Sequence, residues 1–153
     1  MTHVVAVDQS GKFENTKHDT IVAFSNGIDY SVMIPATVKR DCLTALGRWG
    51  ISDANRNALL FATMLFFLLR HYIDQLHTVV IDTEYQGQEP LIKDHLMNIL
   101  RRAGYPIQRH QITFGHIGKH SPAHKVALET FRRNRTPNLV LSLEDILGQF
   151  RKK

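Results

Sequence analysis

Two aspartates that each end a short apolar run are the residues best suited to chemistry in this chain. Asp8 follows the run at 4–7 and Asp82 follows the run at 78–81. Apolar, β-branched runs of this length predict buried strands, which would carry the two carboxylates to a sheet edge. Side by side, two carboxylates can bind a divalent cation of the kind used in phosphodiester chemistry. Each aspartate alone is more typical of a simple turn, so the elements between them must decide.

Length and composition favour one globular domain with a polyanionic partner. The 153 residues fit a single domain over 1–153, and 43% hydrophobic with 22% charged residues is ordinary for such a domain. Nineteen Lys and Arg against 14 Asp and Glu give a net charge of +5. This excess favours nucleic acid as the partner.

The compartment is predicted from cysteine usage and from apolar run length. Cys42 is the only cysteine, which excludes an intramolecular disulfide and a cysteine-based zinc site. A reducing, cytoplasmic location fits this usage best. The longest apolar run, at 58–69, is too short to cross a bilayer, so we expect no membrane association.

The first part of the chain predicts an antiparallel meander followed by helices. Strands are expected at 4–7, 20–24 and 28–38, and Asn26-Gly27 is a strong hairpin signal between the second and third. A short helix within 41–50 is expected next. A long, mostly buried helix should then run from about Asp53 to Gln75.

The second part of the chain alternates strand and helix. We expect a strand at 78–82, a helix at 89–102, a strand at about 111–116 and a helix from 121 to about 133. A short terminal helix at about 142–150 precedes a basic tail. The order β-β-β-α-β-α-β-α predicts an α/β fold with a five-stranded mixed sheet flanked by helices.

Four motifs, in order along residues 4–133, carry a resemblance to a known family. They are Asp-Gln-Ser-Gly at 8–11, Ala-Asn-Arg-Asn at 54–57, Ile-Asp-Thr-Glu-Tyr at 81–85 and Gly-His-Ile-Gly at 115–118. The chain resembles ribonuclease H type 1, whose matching elements carry Asp-Gly-Ser, Asn-Asn-Arg, Thr-Asp-Ser-Gln-Tyr and Gly-His-x-Gly. The resemblance implies the ribonuclease H-like fold.

The resemblance also implies a magnesium site that this chain would build differently. The family's four carboxylates hold two Mg²⁺ ions, and Asp8 and Asp82 match two of them. The third position falls near Ala58, and the fourth falls within 122–129, which contains no aspartate. The resemblance therefore predicts an altered site for Mg²⁺ or Mn²⁺.

Three replacements for the missing carboxylates are open. Glu84 lies two residues beyond Asp82 and would face the same side if the strand continued. His124 or Glu129 could act from the last helix, where some Holliday-junction resolvases of this fold carry histidine. Asp41 could approach from the segment before the long helix. Each also has an ordinary interpretation, as a solvated, packed, ion-paired or helix-starting residue. We predict Glu84 and His124 as metal ligands beside Asp8 and Asp82.

The remaining site predictions concern proton transfer and phosphate binding. By resemblance, His116 would assist the attacking water or product departure, although a structural role at a strand end is equally open. The predicted nucleic-acid contacts come from the motifs and from a late basic cluster. They are Ser10, Asn55, Arg56, Lys119, Lys125, Arg132 and Arg133.

Two functions are compatible with these features. The first is a metal-dependent nuclease acting on RNA, RNA–DNA hybrid or branched DNA, and a homodimer is open because resolvases of this fold work as dimers. The alternative is a non-catalytic nucleic-acid-binding domain of the ribonucleoprotein type, for which Ala58 and the missing aspartate would be expected. Metal binding requires that Asp8 and Asp82 face the same side of the sheet.

Overall fold

Six strands and five helices make up the computed structural model, which describes residues 3–13, 15–25, 27–83 and 87–150. The strands are β1 (His3–Ser10), β2 (Thr20–Ser25), β3 (Asp29–Ile34), β4 (Leu76–Asp82), β5 (Ile112–Gly115) and β6 (Leu139–Val140). The helices are α1 (Ala36–Arg48), α2 (Asp53–Leu69), α3 (Glu89–Arg102), α4 (Pro122–Phe131) and α5 (Leu143–Leu147). Single 3-10 turns lie at Ile73–Gln75 and Arg109–Gln111.

The strands form one mixed sheet in the order β5-β4-β1-β2-β3-β6. β1, β2 and β3 pair antiparallel, which confirms the predicted meander. β4 lies parallel to β1 on its other side, and β5 lies parallel to β4. The carboxyl ends of β1, β4 and β5 therefore meet at one edge of the sheet.

Helices cover both faces of the sheet. Val5 and Val7 of β1 belong to the main core with α2 and α3. Their neighbour Asp8 points the opposite way because side chains alternate along a strand. On that second face, α4 packs on β1 and β2, where Ala23, Val126 and Ala127 form a small separate core. Residue 58 and residues 60–69 of α2 are all buried, as the apolar run predicted.

The prediction of five strands was wrong, because β6 adds a sixth. β6 pairs in parallel with β3, with Val32 opposite Leu139. Asn138 leads into it and accepts the Ser31 N–H at 2.9 Å through its side-chain oxygen. A strand of two residues is too short to show an alternating pattern, so only the contact with β3 defines it.

The segment around Pro35 also differs from the prediction of a strand over 28–38. β3 ends at Ile34, and Pro35 is the N-cap of α1 with φ −62° and ψ 151°. The backbone N–H of Ala36 donates to Oδ1 of Asp19 at 2.9 Å, so a distant side chain caps α1. α1 therefore begins five residues before the predicted Asp41.

The long helix is shorter than predicted. α2 begins at Asp53 with Ser52 as its N-cap, in agreement with the sequence, but it ends at Leu69 rather than at Gln75. A 3-10 turn at Ile73–Gln75 then leads into β4. None of the helices within the described residues is long and apolar enough to span a membrane.

Candidate active site

Asp8 and Asp82 lie side by side at the carboxyl ends of β1 and β4. These strands are parallel with Val7 opposite Ile81, and each aspartate is the next residue of its strand. Residues opposite each other in neighbouring strands project to the same face of the sheet. Burial raises the pKa of Asp8, and the charge of nearby Asp82 adds to that rise. The two carboxylates therefore meet the condition of facing the same side of the sheet.

Asp8 is a buried carboxylate that is held by two partners. It is 4% exposed, and its Oδ1 accepts the backbone N–H of Gln9 at 2.8 Å. Its Oδ2 lies 2.8 Å from Nδ1 of His124. Burial is the largest influence and raises the pKa of Asp8, while the Gln9 and His124 hydrogen bonds oppose that rise. The charged form of this buried carboxylate is therefore stabilised by hydrogen bonds rather than by water.

His124 reaches Asp8 because of how α4 packs on the sheet. Ser121 and Pro122 begin the helix, and Val126 and Ala127 seat it on β2. The same packing turns the partly exposed ring of His124 toward β1. A proton on Nδ1 would be donated to Asp8, whereas the other tautomer would leave an Nδ1 lone pair facing the carboxylate. In that second tautomer, both residues could bind one cation.

Asp82 fastens the loop that follows β5. Its Oδ1 accepts the backbone N–H of Ile117 at 2.8 Å, and the N–H of Thr83 donates to the carbonyl of Gly115 at 3.1 Å. His116 lies between these two anchored positions and is exposed. The Gly-His-Ile-Gly loop is therefore held next to the second aspartate, with its histidine accessible to solvent.

Among the described residues, the carboxylates of Asp8 and Asp82 supply only the small number of ligands with which a protein usually holds Mg²⁺ or Mn²⁺. Within the described ranges, no three His, Cys, Asp or Glu side chains form a group that could hold a metal ion. Glu84, the predicted further ligand, lies outside those ranges. Mg²⁺ is commonly held by one or two carboxylates, with waters and substrate phosphates completing its shell. A carboxylate offers about four lone-pair sites, so one hydrogen bond per oxygen leaves Asp8 able to coordinate.

The other candidates to replace the missing carboxylates have ordinary structural roles. Ala58 is buried in the main core, so the third carboxylate position has no ligand there. Glu129 accepts a hydrogen bond at 3.2 Å from the guanidinium of Arg135. Asp41 is exposed on α1, which packs on α2 and α5. Of the two candidate ligands on α4, His124 is the one that contacts Asp8.

The predicted nucleic-acid contacts divide into accessible and engaged side chains. Lys119, Lys125 and Arg132 are exposed, in the loop before α4 or at α4 itself. Arg133, at positive φ of 64°, pairs with Asp19 at 3.4 Å. Lys125 follows His124 on α4, and consecutive helical residues point in different directions, so Lys125 faces solvent while His124 faces Asp8.

The residues predicted from the Ala-Asn-Arg-Asn motif lie at the start of α2. Asn55 is exposed, and its backbone N–H donates to the Ser52 cap. Arg56 is engaged, because Nε donates to the carbonyl of Ile51 at 2.6 Å and Nη1 pairs with Asp53 at 2.8 Å. A Cβ added at Gly47 would lie 2.9 Å from Cζ of Arg56. Arg56 thus joins α1 to α2. Ser10, at the end of β1, is partly exposed.

Two contributors to the site were missed by reasoning from the sequence. They are the backbone N–H groups of Gln9 and Ile117, which donate to Asp8 and Asp82 respectively. Every non-proline residue carries such a donor, so residue type gives no signal for it. Only the local path of the chain at the end of β1 and after β5 reveals the two contacts.

Comparison with known proteins does not identify the chain. No family model, no curated protein and no solved structure gave a significant match. Its function must therefore be inferred from the residues of the site.

Proposed function

We propose that this protein is a metal-dependent nuclease with a ribonuclease H-like fold, hydrolysing phosphodiester bonds in RNA, RNA–DNA hybrid or branched DNA. The observation that carries the proposal is the pairing of Asp8 and Asp82 on one face, at the ends of adjacent parallel strands, with His124 bonded to Asp8. The meander followed by alternating strands and helices supports the proposed fold. Carboxylates held on rigid strands are suited to binding a cation in a fixed position.

Each residue would have a separate task in this chemistry. Asp8 and Asp82 would hold Mg²⁺ or Mn²⁺, which when bound acts as a Lewis acid and lowers the pKa of water. His124 would keep the Asp8 carboxylate in position, and the N–H of Ile117 would do the same for Asp82. His116, exposed on the anchored loop, would move a proton to or from the reacting groups.

Phosphate binding would come from the basic side chains around this edge. Lys119 is exposed on the segment that links the anchored loop to α4, and Lys125 is exposed in the first turn of α4. Their contacts with phosphate oxygens would position a strand without reading its bases. The substrate class therefore depends on backbone shape and charge in this proposal.

A non-catalytic nucleic-acid-binding domain is the second candidate, and one observation favours it. Both oxygens of Asp8 already have hydrogen-bonding partners, and burial raises its pKa. A carboxylate in that setting can be retained for structure alone. This candidate predicts salt-sensitive binding of RNA or DNA that needs no magnesium.

The deciding experiment compares wild type with Asp8→Asn and Asp82→Asn. Purified proteins are incubated with Mg²⁺ or Mn²⁺ and labelled single-stranded RNA, duplex RNA, RNA–DNA hybrid, duplex DNA and a four-way junction. We expect wild type to cut at least one substrate, and both variants to lose about a hundredfold or more of that rate. Asparagine preserves side-chain size, so folding should be retained.

Asp94→Asn is the matched control, because Asp94 is an exposed carboxylate on α3 that pairs with Arg109. Its cleavage rate should equal that of wild type. Equal cleavage by all four proteins would indicate a contaminating nuclease and would contradict the proposal. Substrate binding without cleavage by any of them would instead favour the non-catalytic candidate.

A further inference from the structure

A cavity of about 540 Å³ opens between the ends of α2 and α3 and the residues that follow α5. Phe66 and Arg70 line it from α2, Arg102 and Tyr105 from the end of α3, and Gly148 and Gln149 from the C-terminal side. This volume lies within the range of small-molecule sites. The cavity is therefore large enough for an organic ligand.

The cavity lies at the opposite edge of the sheet from the aspartate pair. α2 leads into the start of β4, and α3 leads into the start of β5. The ends of both helices are thus at the edge where the parallel strands begin. Asp8 and Asp82 are at the edge where β1 and β4 finish. A ligand in the cavity would occupy a separate site.

Arg70 presents a charged group that is fixed in place but incompletely bonded. Its guanidinium carbon lies 4.8 Å from the ring centre of Phe67 and 5.8 Å from that of Phe66. Its Nε is buried, and no described residue accepts a hydrogen bond from it. A charged donor without an acceptor is costly to bury. Because Nε has no accessible surface, a ligand in the cavity would bind this guanidinium through its two Nη groups rather than through Nε.

Arg102 adds a second guanidinium to the same cavity. Its Nη2 donates to the carbonyl of Gln149 at 2.8 Å, and arginine has further donors to offer. None of the described lining side chains is acidic. Each helix C-terminus contributes roughly half a negative charge, so the two arginine charges leave an excess of about one positive charge. The cavity favours an anion over a cation.

Arginines at helix ends also have an ordinary explanation, since they interact favourably with the helix dipole. That explanation does not require that both arginines line one cavity. Forked guanidinium groups are the side chains that best match the oxygens of a phosphate. Two of them at one cavity fit a phosphate better than an isolated carboxylate.

The apolar walls indicate that the phosphate carries an organic group. Phe66 and Tyr105 meet edge to face, with ring centres 6.5 Å apart, and Ile99 completes this side. Inorganic phosphate would leave most of the volume unfilled. We infer that the cavity between the ends of α2 and α3 binds the phosphate monoester of an organic molecule, held by Arg70 and Arg102.

Titration of the full chain with adenosine 5′-monophosphate as the probe tests this inference, followed by amide NMR and calorimetry. We expect saturable binding with shifts at Tyr105, Gly148 and Gln149, weaker binding of inorganic phosphate and none of adenosine. Arg70→Lys removes the forked guanidinium but keeps the charge, and Arg102→Gln removes the second charge. Each should weaken binding at least about tenfold, as expected for a lost charged contact.

Two controls separate this site from its surroundings. Arg101→Gln changes an exposed arginine on the same turn of α3 and should bind the probe like wild type. Asp8→Asn should also retain binding, which makes the result independent of the proposed nuclease activity. Thermal unfolding checks that each variant folds. If Arg70→Lys does not fold, Arg102→Gln alone tests the site.

Three results would overturn the inference. These are absence of binding at millimolar probe, affinity unchanged in both arginine variants, and shifts that appear around Asp8 rather than around Tyr105.

Discussion

Asp8 and His124 are separated by 116 positions in the chain, yet their side chains meet at 2.8 Å. The contact links a buried carboxylate on β1 to an imidazole on α4 that remains about 33% exposed. A donor from His124 helps the charged form of Asp8, whose pKa is raised by burial. The contact should therefore contribute to stability as well as to the proposed chemistry.

Replacement of His124 by leucine should lower the free energy of unfolding by about 1 kcal/mol, because Oδ2 of Asp8 loses its donor. His124→Asn should cost less, since an asparagine amide can occupy the place of Nδ1. Urea denaturation at pH 7 measures both values. His120→Leu, at an exposed position nearby, is the control. Equal losses for leucine and asparagine at position 124 would show that the hydrogen bond contributes nothing.

His95 predicts how stability changes with pH. Burial, with a smaller contribution from Arg102, lowers the pKa of His95 to about 4 from 6.5. The unfolded chain therefore binds a proton as the pH falls through 6.5, while the folded protein does not until about pH 4. Stability from this residue is fully present above 6.5 and is lost between 6.5 and about 4.

Between pH 7 and 4.5, wild type should lose about 2 kcal/mol more unfolding free energy than His95→Gln, which cannot titrate there. Urea denaturation at the two pH values gives this difference. His110→Gln, at an exposed position, should behave like wild type. An identical pH dependence for His95→Gln and wild type would contradict the assignment.

At the scale of elements, α1 holds the loop between β1 and β2 through a buried lysine. Nζ of Lys39 donates to the carbonyls of Asn15 at 2.8 Å and Lys12 at 3.3 Å, and to Oγ1 of Thr20 at 3.0 Å. The side chain has no exposed surface. These acceptors solvate the ammonium group in place of water, so the loop after Asp8 is tied to α1.

Lys39→Met should lower the free energy of unfolding by about 3 kcal/mol, because the loop carbonyls lose charged donors while the apolar stem is kept. Lys17→Met, at an exposed position of the same loop, should change stability little. Chemical denaturation of the two variants and wild type measures the effect. A small loss for Lys39→Met would mean that water replaces the ammonium group.

The whole molecule carries a net charge of +5, and Lys119 and Lys125 are exposed before and within α4. We predict that Lys119→Gln and Lys125→Gln each reduce the salt dependence of nucleic-acid binding by about one phosphate contact. Anisotropy of labelled RNA and DNA over a range of salt concentrations gives the slopes. Arg101→Gln, at the opposite sheet edge, should leave the slope unchanged. Equal slopes for all proteins would place binding elsewhere.

A homodimer also remains a prediction at this scale. Light scattering coupled to gel filtration measures the mass directly. A dimer would suit a two-fold symmetric branched substrate, whereas a monomer would favour cleavage of RNA or of a hybrid duplex.

The sequence by itself determined the elements that depend on local pattern. Apolar, β-branched runs predicted β1 and β4, and the long apolar run predicted the buried α2, because burial is encoded in consecutive side chains. The same runs predicted Asp8 and Asp82 at strand ends; Asp82 does end β4, whereas β1 continues past Asp8 to Ser10 because it pairs there with β2. Caps such as Ser52 were equally readable, since a cap and the turn it serves are neighbours in the chain.

Only the tertiary structure decided the features that join distant segments. β6 exists because it pairs with β3, and α1 begins at Ala36 because Asp19 caps it from another loop. The meeting of His124 with Asp8 depends on how α4 seats on β1 and β2. The sequence indicated that the helix now labelled α4 could supply a replacement ligand, but it did not decide between His124 and Glu129. Helix packing separates them, because it turns His124 toward Asp8 and leaves Glu129 to Arg135.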